Sequence, residues 1–291
     1  MLYNLGVKSS AKQETAFLQP GPQAPIGVFD SGMGGLSVLK ELVGLLPDEH
    51  FIYLADTANC PYGQRPNAEI QQLSLQAMHF LQQQGAKALV VPCNTASAAA
   101  LQTLREDAGP GFPVVGLVPA VKPAVERTQT GTVGVLATEG TLRGKLLDDV
   151  FEQFAHPRGV EVLKATHPRL VPLVEAAQLG TPETLEVLRS TLDPLMEKGM
   201  DHLVLGCTHY LFLKEALHTL YPHLNLLDSG FAVAKQTRRV LSEKHLLTET
   251  PQGSIEVFTT GDPDAVAPLV QTLWGEHLAV KHAAYRKEEH A

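Results

Sequence analysis

Two short stretches constrain this chain more than any others: LVVPCNTA at residues 89–96 and LVLGCTH at 203–209. In each, an apolar run stops at a cysteine that is followed at once by hydroxyl or amide side chains, Asn94 and Thr95 after Cys93, Thr208 after Cys207. Such a run, bounded by a polar cluster and followed by a helix-forming segment, reads as a buried parallel strand of an α/β sheet. Both cysteines then stand at carboxyl ends of strands, where open α/β sheets bind ligands. A cleft between two such ends places them to face one another across a small molecule.

The rest of the chain repeats the alternation. Strands are expected at 25–30, 51–56, 113–117, 131–137, 160–166 and 254–260, with AVKHA at 279–283 as an edge strand. Helical spacing runs over 36–46, 68–84, 96–105, 142–154, 182–196, 209–220, 232–247 and 263–274. NLLDSG at 225–230 repeats the D-S-G ending of the first strand, and the pattern after Pro119 resembles the opening of the chain. Strands alternating with helices imply a mostly parallel sheet in each half, hence an α/β fold of two pseudo-symmetric three-layer domains.

Bulk properties narrow the function. No run approaches the roughly 20 apolar residues of a membrane span. The net charge of −8 comes with scattered Lys and Arg, so no basic face gathers phosphates, and nucleic acid is excluded as a partner. Three cysteines without CxxC spacing fit free thiols in a reducing compartment. The start of the chain lacks the apolar segment of a secretory signal, so a cytoplasmic location is expected, with residues 1–24 as a mobile N-terminal extension. SGMGG after the first strand is neither GxGxxG nor GxxxxGK[ST], so neither nucleotide fingerprint is met.

Paired thiols at symmetry-related strand ends suit one reaction well. Inverting a Cα–H centre beside a carboxylate requires removing a proton from one face and returning one to the other, which two groups on opposite sides accomplish. A thiol of reference pKa about 8.5 is readily tuned so that thiol and thiolate are both accessible near neutrality. No cofactor is needed for that geometry, and no metal is expected.

The set DSGMGG (30–35), NCPYG (59–63), CNTA (93–96) and GCTHY (206–210), in this order and at these separations, resembles the glutamate racemases over about residues 25–275. The resemblance implies cofactor-independent interconversion of L- and D-glutamate, the latter for bacterial cell-wall peptidoglycan, by a homodimer with glutamate as its small-molecule partner. It makes Cys93 and Cys207 the proton donor and acceptor, with Asp30 and His209 adjusting the thiols and Glu175 assisting through His209. Substrate contacts are implied for Asp30, Ser31, Tyr62, Gly63, Asn94, Thr95, Thr138, Thr208 and His209. The first domain becomes discontinuous, 25–118 plus 229–291, and the second 119–228, with the active site in the cleft between them. Pro92, Leu211 and the TEGT turn depart from the usual pattern, and His209, where aspartate-specific relatives have glutamate, favours glutamate.

Taken one at a time the same residues have plainer roles. Asp30, Ser31, Asn94, Thr95 and Thr208 are natural helix caps, and Tyr62 a turn tyrosine. Glu175 reads as a solvated helix residue, His209 as a satisfied histidine and Cys60 as packing. Three rival functions use the same parts. A cysteine hydrolase built on Cys207 and His209 leaves Cys93 unexplained. A metal site would take Cys93, Cys207 and His209, and a two-lobed amino-acid receptor would capture without chemistry.

Overall fold

The computed structural model describes residues 20–251 and 253–284. Ten strands form two sheets. β1 (Ile26–Asp30), β2 (His50–Ala55), β3 (Ala88–Val91), β4 (Val114–Gly116), β9 (Ser254–Thr259) and β10 (Val280–His282) make a six-stranded sheet in the order β10-β9-β2-β1-β3-β4. β5 (Thr132–Ala137), β6 (Glu161–Ala165), β7 (His202–Gly206) and β8 (Asn225–Leu227) make a four-stranded sheet in the order β6-β5-β7-β8. Every pairing is parallel. This follows from the sequence: β1, β3, β5 and β7 are buried along their whole length, as strands covered on both faces must be.

Each sheet is the middle of three layers. Helices Leu36–Leu45, Gly230–Glu243 and Pro263–Trp274 pack on one face of the larger sheet around Val28, Leu39 and Val257. Helices Asn67–Gln83 and Asn94–Ala108 cover the other around Phe29, Leu81 and Leu89. The smaller sheet lies between a core built on Leu136, Leu188, Leu203 and Leu217 and one built on Val121, Val133, Val135 and Val204. The larger sheet draws strands from both ends of the chain, because β9 pairs with β2 over six residues. Among the described residues no helix is long and apolar enough to cross a membrane.

Strand order positions the site. In the larger sheet β1 has β2 on one side and β3 on the other; in the smaller, β5 has β6 on one side and β7 on the other. Chains that leave β1 and β3, or β5 and β7, therefore diverge to opposite faces, opening a crevice at each pair of carboxyl ends. Cys93 follows one such end and Cys207 the other. Pro92 lies one residue beyond the last ladder position, Val91, so its missing N–H removes no sheet hydrogen bond.

Some elements differ from the sequence expectation. The helix expected over 142–154 is shorter, Lys145–Val150, and continues as one π turn, Phe151–Ala155, before Pro157 and a left-handed Gly159 end it. The TEGT turn is a helical turn, Glu139–Leu142, capped by Thr138 Oγ1 accepting from Thr141 N. The helix expected over 209–220 begins as a 3-10 segment, Thr208–Leu213, and becomes α-helical at Lys214. The D-S-G at 228–230 lies outside the crevices: Asp228 pairs with Lys214 at 2.6 Å and Ser229 donates to the Val118 carbonyl.

Of the expected extension, residues 1–19 lie outside the described residues, and the last few are held. Ala24 N bonds to the Gly21 carbonyl, and Lys87 Nζ donates to Pro22 O and to the Glu49 carboxylate, both at 2.5 Å. The other Glu49 oxygen accepts from Thr248 N, so this ion pair ties three segments at the amino edge of the larger sheet. Both side chains are buried, 0% and 2% exposed, so removing one partner leaves the other charge desolvated and uncompensated. Glu49→Leu alone is expected to lower unfolding stability by about 3–5 kcal/mol in urea titrations, with much of the loss recovered on adding Lys87→Met. Equal losses in the single and double variants would show that the pair itself is not the cause.

Candidate active site

One narrow cavity collects residues from both halves of the chain. Ser31, Tyr62, Gly63, Cys93, Asn94 and Thr95 line it from the side of the larger sheet, and Thr138, Cys207, Thr208 and His209 from the other. Pro61 and Val171 complete the wall, and the space barely admits a water-sized sphere. The two sulfurs thus share a single enclosure. Asp30 and Glu175 do not line it; they stand directly behind residues that do. A wider recess of about 160 Å³ adjoins it through Pro61, Gly63, Thr138 and Val171 and leads outward past Gln64 and His167.

Each thiol is backed by a short polar chain that ends in a carboxylate. On one side the Cys93 thiol donates to Ser31 Oγ at 3.5 Å, and Ser31 donates to Asp30 Oδ1 at 3.2 Å. Cys93 also caps its own helix, its sulfur accepting from Ala96 N at 3.4 Å. On the other side Cys207 Sγ lies 3.7 Å from His209 Nδ1, and His209 Nε2 lies 2.6 Å from Glu175 Oε1. Glu175 accepts a further bond from Met33 N at 2.7 Å, and Thr208 Oγ1 donates to Asp30 Oδ2 at 3.0 Å. Both of these last bonds cross between the halves.

The close approach needs glycine. A β-carbon on Gly34 would meet Thr208 Oγ1 at 2.6 Å and crowd the His209 ring, so only hydrogen lets the loop after β1 seat against the loop after β7. The apolar walls and the charges then set the electrostatics. Burial, with the Asp30 carboxylate as a second cause, pushes the Cys93 thiol up to about 12. Burial likewise raises Asp30, against the opposing pull of His209 and its three donors. For His209 burial works downward, but hydrogen bonds to the Cys207 and Cys60 sulfurs and to Glu175 outweigh it and hold the ring well above the imidazole range. Burial works upward on Glu175, and the bond to His209 overrides it, leaving the carboxyl below its ordinary value. His209 and Glu175 therefore form an imidazolium–carboxylate pair at neutral pH.

Several placements differ from the plainer readings. Tyr62, expected at an exposed turn, is 1% exposed, and its hydroxyl donates to Asp56 Oδ2 at 2.5 Å. Glu175 faces inward rather than solvent. Ser31 sits between a thiol and a carboxylate, a link that spacing cannot reveal because Cys93 is 62 residues away. Thr141 joins Thr95 and Thr138 in a hydroxyl cluster, and Val171 reaches the cavity wall without any sequence signal. Cys60 packs at an apolar edge and also lies 4.0 Å from Glu175 Oε1. Among the described residues the set of Cys, His and acidic groups close enough to share a metal ion is Cys60, Glu175 and His209, which includes neither Cys93 nor Cys207.

Comparison with known proteins assigns these two parallel α/β sheets to an isomerase of the amino-acid racemase class. The chain belongs to the Asp/Glu/Hydantoin racemase family, which it matches over residues 26–237, and its relatives there are glutamate racemases. It is 52% identical to the glutamate racemase of Deinococcus radiodurans over 258 residues, 87% of this chain and 88% of that one. Glutamate racemase from Thermus thermophilus, solved with beta-chloro-D-alanine, superposes with a TM-score of 0.75 at 40% identity, covering 91% of this chain and 98% of that one. The Escherichia coli enzyme, solved with L-glutamate and the activator UDP-MurNAc-ala, gives 0.79 at 33% identity over 91% and 100%.

The electrostatic assignment has a direct test. His209, raised in the folded chain, contributes stability that is complete below about pH 6.5 and fades as pH climbs through the raised value. Glu175, lowered, contributes stability that is present above about 4.5 and fades as pH falls through the lowered value. Glu175→Gln is expected to move the His209 imidazole titration downward in nuclear magnetic resonance spectra. The stability gap between wild type and this variant is expected to shrink on acidification; an unmoved His209 midpoint would refute the pairing.

Proposed function

We propose that this enzyme interconverts L- and D-glutamate by two-base proton transfer, with Cys93 and Cys207 as the two bases. The observation that carries the reading is that both sulfurs line one cavity from opposite halves of the chain. The bound amino acid lies with its Cα between them. One sulfur, as thiolate, takes the Cα proton while the other, as thiol, gives its proton to the opposite face; the protein leaves each turnover with the pattern reversed.

The surroundings divide the remaining work. Cys93, with its proton tightly held, is the donor in the resting protein, and Ser31 and Asp30 fix its direction. His209 lies beside Cys207, with Glu175 holding the ring in place. Asn94 Oδ1 is buried and, among the described residues, has no hydrogen-bond partner, so it is a ready acceptor for the substrate ammonium. Thr95 and Thr138 offer hydroxyl donors to the two carboxylates, Thr208 lines the wall with its own hydroxyl held by Asp30, and Tyr62 and Gly63 shape the rest. The unliganded space is smaller than glutamate, so admission of substrate requires the two halves to part along the adjoining recess.

In the cell this reaction supplies D-glutamate for peptidoglycan, and we place the enzyme in the cytoplasm as a homodimer of discontinuous 25–118/229–291 and continuous 119–228 domains. Relatives solved with L-glutamate support the substrate, and His209 supports glutamate over aspartate. Incubation in deuterated water without added cofactor is expected to racemise L-glutamate with deuterium entering at Cα, and to leave L-aspartate unchanged. Cys93→Ala and Cys207→Ala are each expected to reduce the rate by at least about a hundredfold. Full activity in Cys93→Ala would instead favour the hydrolase-like Cys207–His209 pair.

A further inference from the structure

Behind the cavity, on the far edge of the His209 ring from Cys207, three donor atoms converge that the racemisation reading leaves incompletely used. Cys60 Sγ lies 4.0 Å from Glu175 Oε1, Glu175 Oε1 lies 2.6 Å from His209 Nε2, and all three donors fall within 4.8 Å of one another. They come from three separate segments, the loop after β2, the helix Leu170–Glu175 and the loop after β7. All three lie against Gly32, on which a β-carbon would meet each of them at 3.0 Å or less, so the absence of a side chain there is what lets them converge. Cys60 and Glu175 are half-buried, which gives a path from solvent, whereas His209 is 2% exposed.

We propose that Cys60, Glu175 and His209 form an inhibitory site for a zinc-like divalent cation. The donor set is the argument: one thiolate, one imidazole nitrogen and one carboxylate oxygen suit Zn2+, with a solvent molecule in the fourth position. Tetrahedral zinc ligands stand about 3.5 Å apart. The sulfur therefore moves inward by about half an ångström, and Nε2 and Oε1 spread once the proton between them is gone. The cation replaces the thiol proton of Cys60 and the Nε2 proton of His209, and both protons pass to solvent. Occupancy takes the Glu175 carboxylate away from Met33 N and leaves His209 neutral, with its remaining proton on Nδ1 beside Cys207. Inhibition thus rests on the reading that His209 serves Cys207; binding itself does not.

The test separates the two. Cobalt(II) chloride titrated into full-length protein carrying Cys93→Ser and Cys207→Ser, where Cys60 is the remaining thiol, is expected to give a thiolate-to-cobalt charge-transfer band that disappears when Cys60→Ser is added. Should the double variant not fold, the difference spectrum between wild type and Cys60→Ser gives the same readout. Zinc chloride is expected to inhibit wild-type racemisation reversibly with EDTA. Cys60→Ser, each protein scaled to its own metal-free rate, is expected to raise the half-inhibiting concentration by more than about tenfold, since losing a ligand costs more than losing its support. Absence of the cobalt band, or equal zinc sensitivity with and without Cys60, overturns the proposal, the latter pointing to the cavity thiols instead. A protein that binds cobalt through Cys60 yet does not racemise glutamate would sink the proposed function and leave the site standing.

Discussion

The bond from Thr208 to the Asp30 carboxylate is the interaction on which the site depends. Asp30 is fully buried at the end of β1, and a carboxylate there is tolerable only with donors around it. Gly32 N and Ser31 supply two from its own loop, but the third comes from the loop after β7, in the other sheet. Ser37 reinforces the contact by donating to the Thr208 carbonyl, and Glu175 by accepting from Met33 N. Removing the cross-sheet donors would strand a buried charge. The same groups that bring the two strand ends together therefore also orient the thiols beside them.

The two thiols are equivalent in topology and unequal in environment. Cys93 faces a hydroxyl and, behind it, a carboxylate whose charge works against ionisation. Cys207 faces the His209 ring and, behind it, the Glu175 carboxylate. This inequality is what a racemase of the proposed kind needs at rest, because a donor and an acceptor must be present together before substrate binds. Duplication of the strand–cysteine unit accounts for the symmetry. The different residues that meet the sulfurs, Ser31 next to Asp30 in one chain of bonds and His209 two after Cys207 in the other, account for the polarity.

Crowding is the other side of this arrangement. Glycines at 32 and 34 permit contacts that any side chain would block, and the resulting cavity is tighter than its proposed substrate. The contacts at the cavity are largely polar, whereas apolar packing joins the halves elsewhere, with Leu179 and Phe212 against the core of the larger sheet and Cys60 against that of the smaller.

Much of the architecture was legible in the chain itself. Continuous apolar runs ending in CNTA and GCTH marked buried parallel strands, and residues after β1, β3, β5 and β7 line the cavity together with Pro61, Tyr62 and Gly63 after β2 and Val171. What failed to read correctly was local exposure: Tyr62 and Glu175 look like surface residues in their own segments because the atoms that cover them, Asp56 and Met33 N among others, follow from tertiary packing. Cys60 belonged to a motif yet looked like filler, since its neighbours Glu175 and His209 lie more than a hundred residues away. The sequence alone determined which residues end the strands, because burial periodicity is a local property. Only the tertiary structure decided which of them meet and which charge each thiol feels, because those depend on distances between segments that the chain order leaves open.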